Sequence, residues 1–520
     1  MTENADRAVL RVTVLTLLCR VLSLVSYQLY MSYFAAGGSN LHVFVYALRF
    51  PELIYVSAGA TLTTVVVPLY SSLLAKDGRG RADVFLQNIL NISGLLLIVL
   101  VAAGVLLAPV IPVLTGFRDT PAEYGYAVFY LRALMPVMFF FGISSVFQGM
   151  LQSNGRFTAA ACVTLPTSLA IFIYIFLFGE RFGVTGLMFA TAIGLSLQAV
   201  FLVPSVIKTG FRHRFVFDYK DEGVATAARM TPPVLAGVSA YQLNTFFNAT
   251  LATYFGATAM LRINNAQQFV FILTLSFVYS LTAVYFPKLT RLWAAGDTDG
   301  YIQCLAESTA TALFFLIPLA VGFMTLRYEI FDLIARWGRF GAEDTRLTGD
   351  FTGLYALGVV AMGLKEIFDR GFYAQKNAKT SALVGFMIMG VNIVFSLIFM
   401  NVIGAYALPL SYAVSCTAGV CALAYVMRKK CGKMPDGFLT DNLKCAVAAA
   451  VMGAAVLAAS FILKRASIAG DLLSRCINLL VPVCVGAAVY FAAAYLLRVP
   501  YCVKAVGGLI SKWRKKAAGE

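Results

Sequence analysis

The sequence predicts an all-α polytopic membrane protein of about fourteen transmembrane helices, built as two parallel six-helix repeats around a central cavity, with two additional C-terminal helices. Three observations carry this. The 520 residues are 60% hydrophobic and only 13% charged, with a mean hydropathy of +0.80, where a soluble domain carries roughly 25% charged residues. Apolar runs of spanning length, about 20 residues, recur along the whole chain, with no intervening polar stretch long enough for a soluble domain. The sequence also resembles itself at a spacing of about 220 residues.

The runs fall near 10–35, 41–74, 86–114, 122–152, 157–179, 183–207, 226–255, 258–287, 302–326, 350–375, 381–402, 405–427, 442–464 and 473–498. Residues 1–11 lack a small-residue cleavage site, so the first run reads as an uncleaved span. An even number of spans puts both termini on one side. The loop charges identify that side. Arg7, Arg11, Lys76, Arg79, Arg81, Arg156, Lys208, Arg212, Arg214, Lys220, Lys288, Arg291, Lys376, Lys379 and 428–430 share one set of loops, joined by Lys512, Arg514, Lys515 and Lys516 of the tail. The opposite set has Arg118, Arg181, Lys464 and Arg465, and its 327–350 loop balances arginines with carboxylates. Basic residues collect inside, so both termini are expected in the cytoplasm.

The self-similarity is an ordered series. Ser32-Tyr33-Phe34-Ala35 resembles Thr253-Tyr254-Phe255-Gly256, and Val67-Pro68-Leu69-Tyr70 resembles Phe286-Pro287-Lys288-Leu289. Phe147 before the Asn154-Gly155-Arg156 turn matches Phe368 before 376–379, and Gly183-Val184-Thr185-Gly186-Leu187 matches Gly404-Ala405-Tyr406-Ala407-Leu408. Six spans separate the matched segments, so the halves share one orientation, a parallel repeat suited to alternating access. The domains are accordingly 1–220 (first six-helix bundle), 221–435 (second) and 436–520, two extra helices and a basic tail.

Composition excludes several functions. The net charge of +16 lies in short loops and the tail, where membrane topology explains it, so no nucleic-acid partner is expected. The ten cysteines show no metal-type spacing and there are only two histidines, His42 and His213, which argues against zinc or redox chemistry.

The informative residues are charges inside apolar runs. Arg20, Arg49 and Arg262 interrupt the runs 13–34, 41–74 and 257–286. An arginine at mid-bilayer costs at least ~2.5 kcal/mol and normally faces a wet cavity or a partner. Three of them, with few carboxylates nearby, point to a cavity that receives something anionic. The bland readings are that Arg49 pairs with Glu52 at i+3 and that Arg262 snorkels to the interface. Asn264, Asn265, Gln267 and Gln268 exceed what interhelical hydrogen bonding needs and read as cavity lining. Lys365 with Asp369, and Glu366 with Arg370, are opposite charges at i, i+4, which predicts either static neutralisation or a gate whose pairs break during a transport cycle. Pro232-Pro233 is the leading hinge candidate.

Cys19-Arg20-Val21-Leu22, Ala47-Leu48-Arg49-Phe50-Pro51-Glu52-Leu53 and Val66-Val67-Pro68 resemble the N-terminal signature of the MurJ (MviN) lipid II flippases. Further matches are 151–157, Tyr285-Phe286-Pro287-Lys288-Leu289, 340–345 and Phe372-Tyr373-Ala374, so the resemblance covers roughly 10–430. It implies a transporter of the multidrug/oligosaccharidyl-lipid/polysaccharide exporter superfamily. Such a protein moves the undecaprenyl-pyrophosphate-linked peptidoglycan precursor from the inner to the outer leaflet, by rocking two bundles about a cationic cavity. On that resemblance Arg20, Arg49 and Arg262 would clamp pyrophosphate through bidentate, charge-assisted hydrogen bonds. Several family charges are replaced here, by Ser26, Tyr55, His42 and Asn265, with Arg262 one turn from Asn265. The family's sodium carboxylates correspond to the neutral Asn248, Asn392 and Ser396.

The expected protein is therefore a lipid II flippase of the bacterial plasma membrane, with no catalytic chemistry and no cofactor. Membrane potential, H+ or Na+ stand as energy sources. Its partners are lipid II and membrane lipids, with cell-wall synthases as candidates, and it is expected to act as a monomer. The alternatives are an exporter of another polyprenyl-linked oligosaccharide, a multidrug antiporter, or a membrane-embedded glycosyltransferase or phosphatase. The last lacks the clustered carboxylates or histidine that such chemistry uses.

Overall fold

A computed structural model describes residues 2–34, 40–114, 120–336, 340–465, 472–500 and 502. Arg118, Arg339 and the tail bases Lys512, Arg514, Lys515 and Lys516, all used in the charge argument, lie outside the described residues. The secondary structure among the described residues is helical throughout, and the chain divides into two compact units, Met1–Asn264 and Asn265–Glu520.

The first unit holds α1 (Thr2–Phe34), α2 (Leu41–Lys76), α3 (Gly78–Leu107), α4 (Pro121–Leu134), α5 (Val137–Ser153), the short α6 (Phe157–Ala161), α7 (Leu165–Ile207), α8 (Glu222–Thr253) and the first turns of α9 (Ala257–Ala294). α4 and α5 form one span, Pro121–Ser153, interrupted at Pro136, where the missing N–H and the ring forbid an unbroken helix. α2 packs against α4, α5 and α8. Its lower half builds the core with Val66, Tyr70, Phe85, Met150, Leu151 and Leu202. The segment after α7 lies along α3: Gln87 donates to the Arg212 carbonyl, Asn91 to that of Val216, and Asn88 accepts from the Asp218 amide. Asp221 then caps α8, accepting from the Val224 amide at 3.1 Å.

The second unit holds the rest of α9, α10 (Thr298–Thr325), α11 (Arg327–Ile334), α12 (Ala342–Ala356), α13 (Val359–Ala374), α14 (Ala378–Ile403), α15 (Ala407–Cys431), α16 (Phe438–Arg465) and α17 (Leu472–Leu496). α12 and α13 form one span bent by 45°. α16 and α17 pack on each other and on α10 and α11. Leu96, Val99 and Leu106 on α3, like Leu397, Ile398 and Val402 on α14, are exposed, as lipid-facing surfaces require.

Among the described residues eight helices are long and apolar enough to cross a membrane unaided, and ten when each bent pair counts as one span. Two of the eight, Leu165–Ile207 and Ala378–Cys431, turn back at Gly183 and Gly404 and so each supply two crossings. With those and the more polar α1 and α8, the helices coincide with the fourteen runs of the sequence.

The backbone records the repeat more sharply than the side chains do. Gly183 (φ 56, ψ −145) and its repeat mate Gly404 (φ 61, ψ −142) adopt the same conformation, one that only glycine enters freely. Gly155 (φ 71) is matched by Lys376 (φ 58), each just past a helix end. There the Arg156 amide donates to the Leu151 carbonyl at 2.8 Å and the Asn377 amide to that of Phe372 at 2.9 Å, the closing bond of a Schellman turn. Gly78 with Gly296, and Gly210 with Gly432, continue the series at positive φ. The compact units divide at 264/265, not at the 220/221 boundary drawn from the repeat. Contact and repetition differ here because α8, the first helix of the second repeat, packs on α2 and α3.

Candidate functional site

Arg49 lies in the first quarter of α2, buried to 7% exposure, two residues before Pro51. One guanidinium nitrogen donates to the Glu52 carboxylate at 2.7 Å. Another donates to the Asn264 side-chain oxygen, from a position near the start of α9. Tyr27, Tyr30 and Tyr55 surround the pair. Glu52 keeps 27% of its surface exposed. The arginine is thus held by a neutral amide on one side and neutralised on the other by a carboxylate that reaches accessible space. The i+3 pairing that the sequence allowed is present. A guanidinium spreads its donors in a fixed fork, so exchanging Glu52 for a pyrophosphate oxygen would leave the Asn264 bond in place.

The other expected cations are disposed differently. Arg20 is exposed on α1 beside the buried Cys19, and among the described residues it makes no ion pair or hydrogen bond. It therefore stays available to an anion. Arg262 is half-buried on α9. Asn264, Asn265 and Gln267 are buried on the same helix, with exposures of 2%, 0% and 5%, and Gln268 is half-buried. The polar stretch is interior. His42 faces Glu123 of α4 across 3.1 Å. Glu123 was not singled out from sequence, and only its place at the start of a span hinted at it.

In the second unit α13 carries the expected charges. Lys365 Nζ meets Asp369 at 2.6 Å, and Asp369, 4% exposed, also accepts from the Ser381 hydroxyl on α14. Ser381 Oγ in turn lies 3.3 Å from the Tyr373 hydroxyl. The expected second pair does not form. Arg370 lies 6.0 Å from the Phe286 ring centre and 5.9 Å from that of Tyr373, a cation–π setting, while Glu366 stands half-buried one turn earlier on α13. The spacing was right, but the aromatic rings compete for the guanidinium.

The sodium candidates are buried: Asn248 at 3% on α8 in the first unit, Asn392 and Ser396 at 0% one turn apart on α14 in the second. Among the described residues no three histidine, cysteine, aspartate or glutamate side chains cluster to hold a metal. All ten cysteines are free thiols.

The sequence model of the family described as "Lipid II flippase MurJ" matches residues 31–477. A probable lipid II flippase MurJ of Rickettsia prowazekii is 22% identical, with 93% of this chain and 96% of that protein covered. The lipid II flippase MurJ of Burkholderia cenocepacia is 23% identical over 82% of this chain and 84% of its own length. Among solved structures, a lipid II flippase MurJ in an inward closed conformation superposes with a TM-score of 0.76 at 20% identity, covering 94% of this chain and 98% of that one. An inward-facing multidrug resistance MATE family transporter of the MOP superfamily reaches 0.67 at 15% identity, covering 79% and 94%. These likenesses fix the fold.

Proposed function

The chain belongs to the lipid II flippase MurJ family, and from that premise we propose that it carries lipid II from the inner to the outer leaflet by alternating access. It is a multi-pass bacterial inner-membrane protein of a transporter family. Our reading adds both termini in the cytoplasm, a monomer, and no chemical change in the substrate.

The observation that carries the reading is Arg49. A guanidinium buried within a span, held by one carboxylate and one amide, is expensive to place in a membrane. A pyrophosphate that displaces Glu52 offers the one substrate group able to use it in full. Arg20 and Arg262 add charge from α1 and α9, and the Asn264 amide supplies a neutral donor for the sugar and peptide. Lys365 and Asp369, with Ser381, form the gate on α13, next to Glu366 and Arg370. The membrane potential, negative inside, favours outward movement of an anion by about 2.3 kcal/mol per charge per 100 mV. It is therefore the energy source we favour over ions held at Asn248, Asn392 and Ser396.

Growth rescue tests the reading. Cells depleted of their own lipid II flippase should survive on this protein and die on its Arg49→Ala variant at equal membrane level. Failure of the wild type would move the substrate to another polyprenyl-linked glycan.

A further inference from the structure

At one end of the second unit, α11, α12 and the facing ends of α16 and α17 enclose a cavity of about 330 Å³, the low end of ligand-sized pockets. Glu329, Asp332, Arg346, Lys464, Arg475 and Asn478 line it. None of these belongs to the substrate or gate residues above.

Part of the charge is settled internally. Lys464 meets one oxygen of Glu329 at 2.7 Å. Arg475 donates to the Arg336 carbonyl at 2.9 Å and faces Asp332 at 3.8 Å, while Arg336 meets Asp332 at 2.8 Å. Three groups are not settled. Glu329 is buried to 8% exposure, yet among the described residues its second carboxylate oxygen has no hydrogen-bond partner, and neither has the buried side-chain oxygen of Asn478. Arg346 is exposed and makes no ion pair among the described residues. Buried acceptors without donors are costly, and native structures hold few of them.

The chemistry of the unsettled groups is mixed. A simple anion would satisfy Arg346 and leave both acceptors empty. A simple cation would satisfy the acceptors but meet Arg346, Lys464 and Arg475. A zwitterion with an N–H-donating ammonium and a phosphate satisfies all three: the ammonium toward Glu329 and Asn478, the phosphate toward Arg346 and Lys464.

The surroundings indicate where such a group comes from. Phe461 (60% exposed) and Ile462 (65%) on α16, and Leu473 (69%) on α17, present apolar side chains next to Lys464 and Arg475. Exposed apolar surface ending at bases is how a span meets the headgroup layer. We propose that this cavity binds the headgroup of a phosphoethanolamine phospholipid, its acyl chains lying on the exposed ends of α16 and α17.

Full-length protein exchanged into detergent with equal amounts of phosphatidylethanolamine, phosphatidylcholine and phosphatidylglycerol, then examined by native mass spectrometry, tests this. Phosphatidylethanolamine should be retained about tenfold over the other two. Choline lacks the N–H donors and glycerol lacks the cation. Glu329→Gln and the exposed Arg346→Ala should each abolish that preference, Arg346→Ala without change in melting temperature. Equal retention of the three lipids, or a preference untouched by Arg346→Ala, would overturn the assignment. Displacement of the lipid by soluble phosphoethanolamine at equal concentration would overturn the lipid as its source.

Discussion

Arg49 on α2 donates to Asn264 on α9, so a charge buried within a span is tied both to its own helix, through Glu52, and to a helix distant in sequence. This gives α2 and α9 a shared polar contact where each would otherwise strand a costly group.

Arg49 and Arg20 should behave differently when removed. Arg49→Ala strands Glu52 and Asn264, and should cost about 2 kcal/mol of stability together with transport. Arg20→Ala removes an exposed side chain that has no partner among the described residues and should abolish transport at unchanged melting temperature. Thermal unfolding in detergent beside a growth-rescue assay separates them. Wild-type transport in Arg20→Ala would remove that residue from the site.

Asp369 is held by Lys365 and by Ser381. Lys365→Met alone leaves a buried carboxylate uncompensated and should cost about 3 kcal/mol. The double variant Lys365→Met/Asp369→Leu should recover most of that stability yet transport at least tenfold more slowly, if the pair works as a gate. Wild-type transport in the double variant would make the pair a static one.

Asp221 is the acid-sensitive cap. Burial works to raise its pKa, but the Arg81 guanidinium and the Val224 and Gly223 amides outweigh burial and hold it below the ordinary carboxylate range. A folded pKa below the unfolded one contributes stability above about pH 4, the unfolded value, and loses it as pH falls through the folded value. Asp221→Asn keeps a capping side chain and gives up the charge. Wild type should therefore exceed it by about 1 kcal/mol near pH 7, an exposed Arg81 limiting the gain, and the gap should close in acid. A gap independent of pH, read by thermal unfolding across pH 3–7, would contradict this.

Much of the fold was legible in the sequence because membrane spans are long and uniform. The glycine punctuation was visible too: Gly183 and Gly404 were matched as sequence and adopt one backbone conformation. The Gly155 turn was matched to 376–379 as sequence, but the positive φ at Lys376 was not legible, because lysine gives no sign of it. In the site, local pairs were readable and distant ones were not. Arg49 with Glu52 and Lys365 with Asp369 follow from helix spacing. Asn264 beside Arg49, Glu123 beside His42 and Ser381 beside Asp369 depend on helix packing that no local pattern encodes. Glu366 and Arg370 had the right spacing, but Phe286 and Tyr373 lie beside the guanidinium instead.

Lys376 occupies a backbone region where a non-glycine residue is strained by roughly 1 kcal/mol. Lys376→Gly should raise the melting temperature, and Gly155→Ala, its counterpart, should lower it. Opposite signs in a thermal-shift measurement would bear out the repeated turn. A destabilised Lys376→Gly would contradict it.

The most direct test of the account is lipid II exposed on the outer leaflet of cells depleted of their own flippase and expressing this chain, read with a membrane-impermeant lipid II-cleaving toxin. The account predicts cleavage at wild-type levels, lost in Arg49→Ala and in Arg20→Ala while both variants reach the membrane. Exposure that persists in both arginine variants would contradict a cationic substrate site, and no exposure from correctly inserted wild-type protein would contradict lipid II as the cargo.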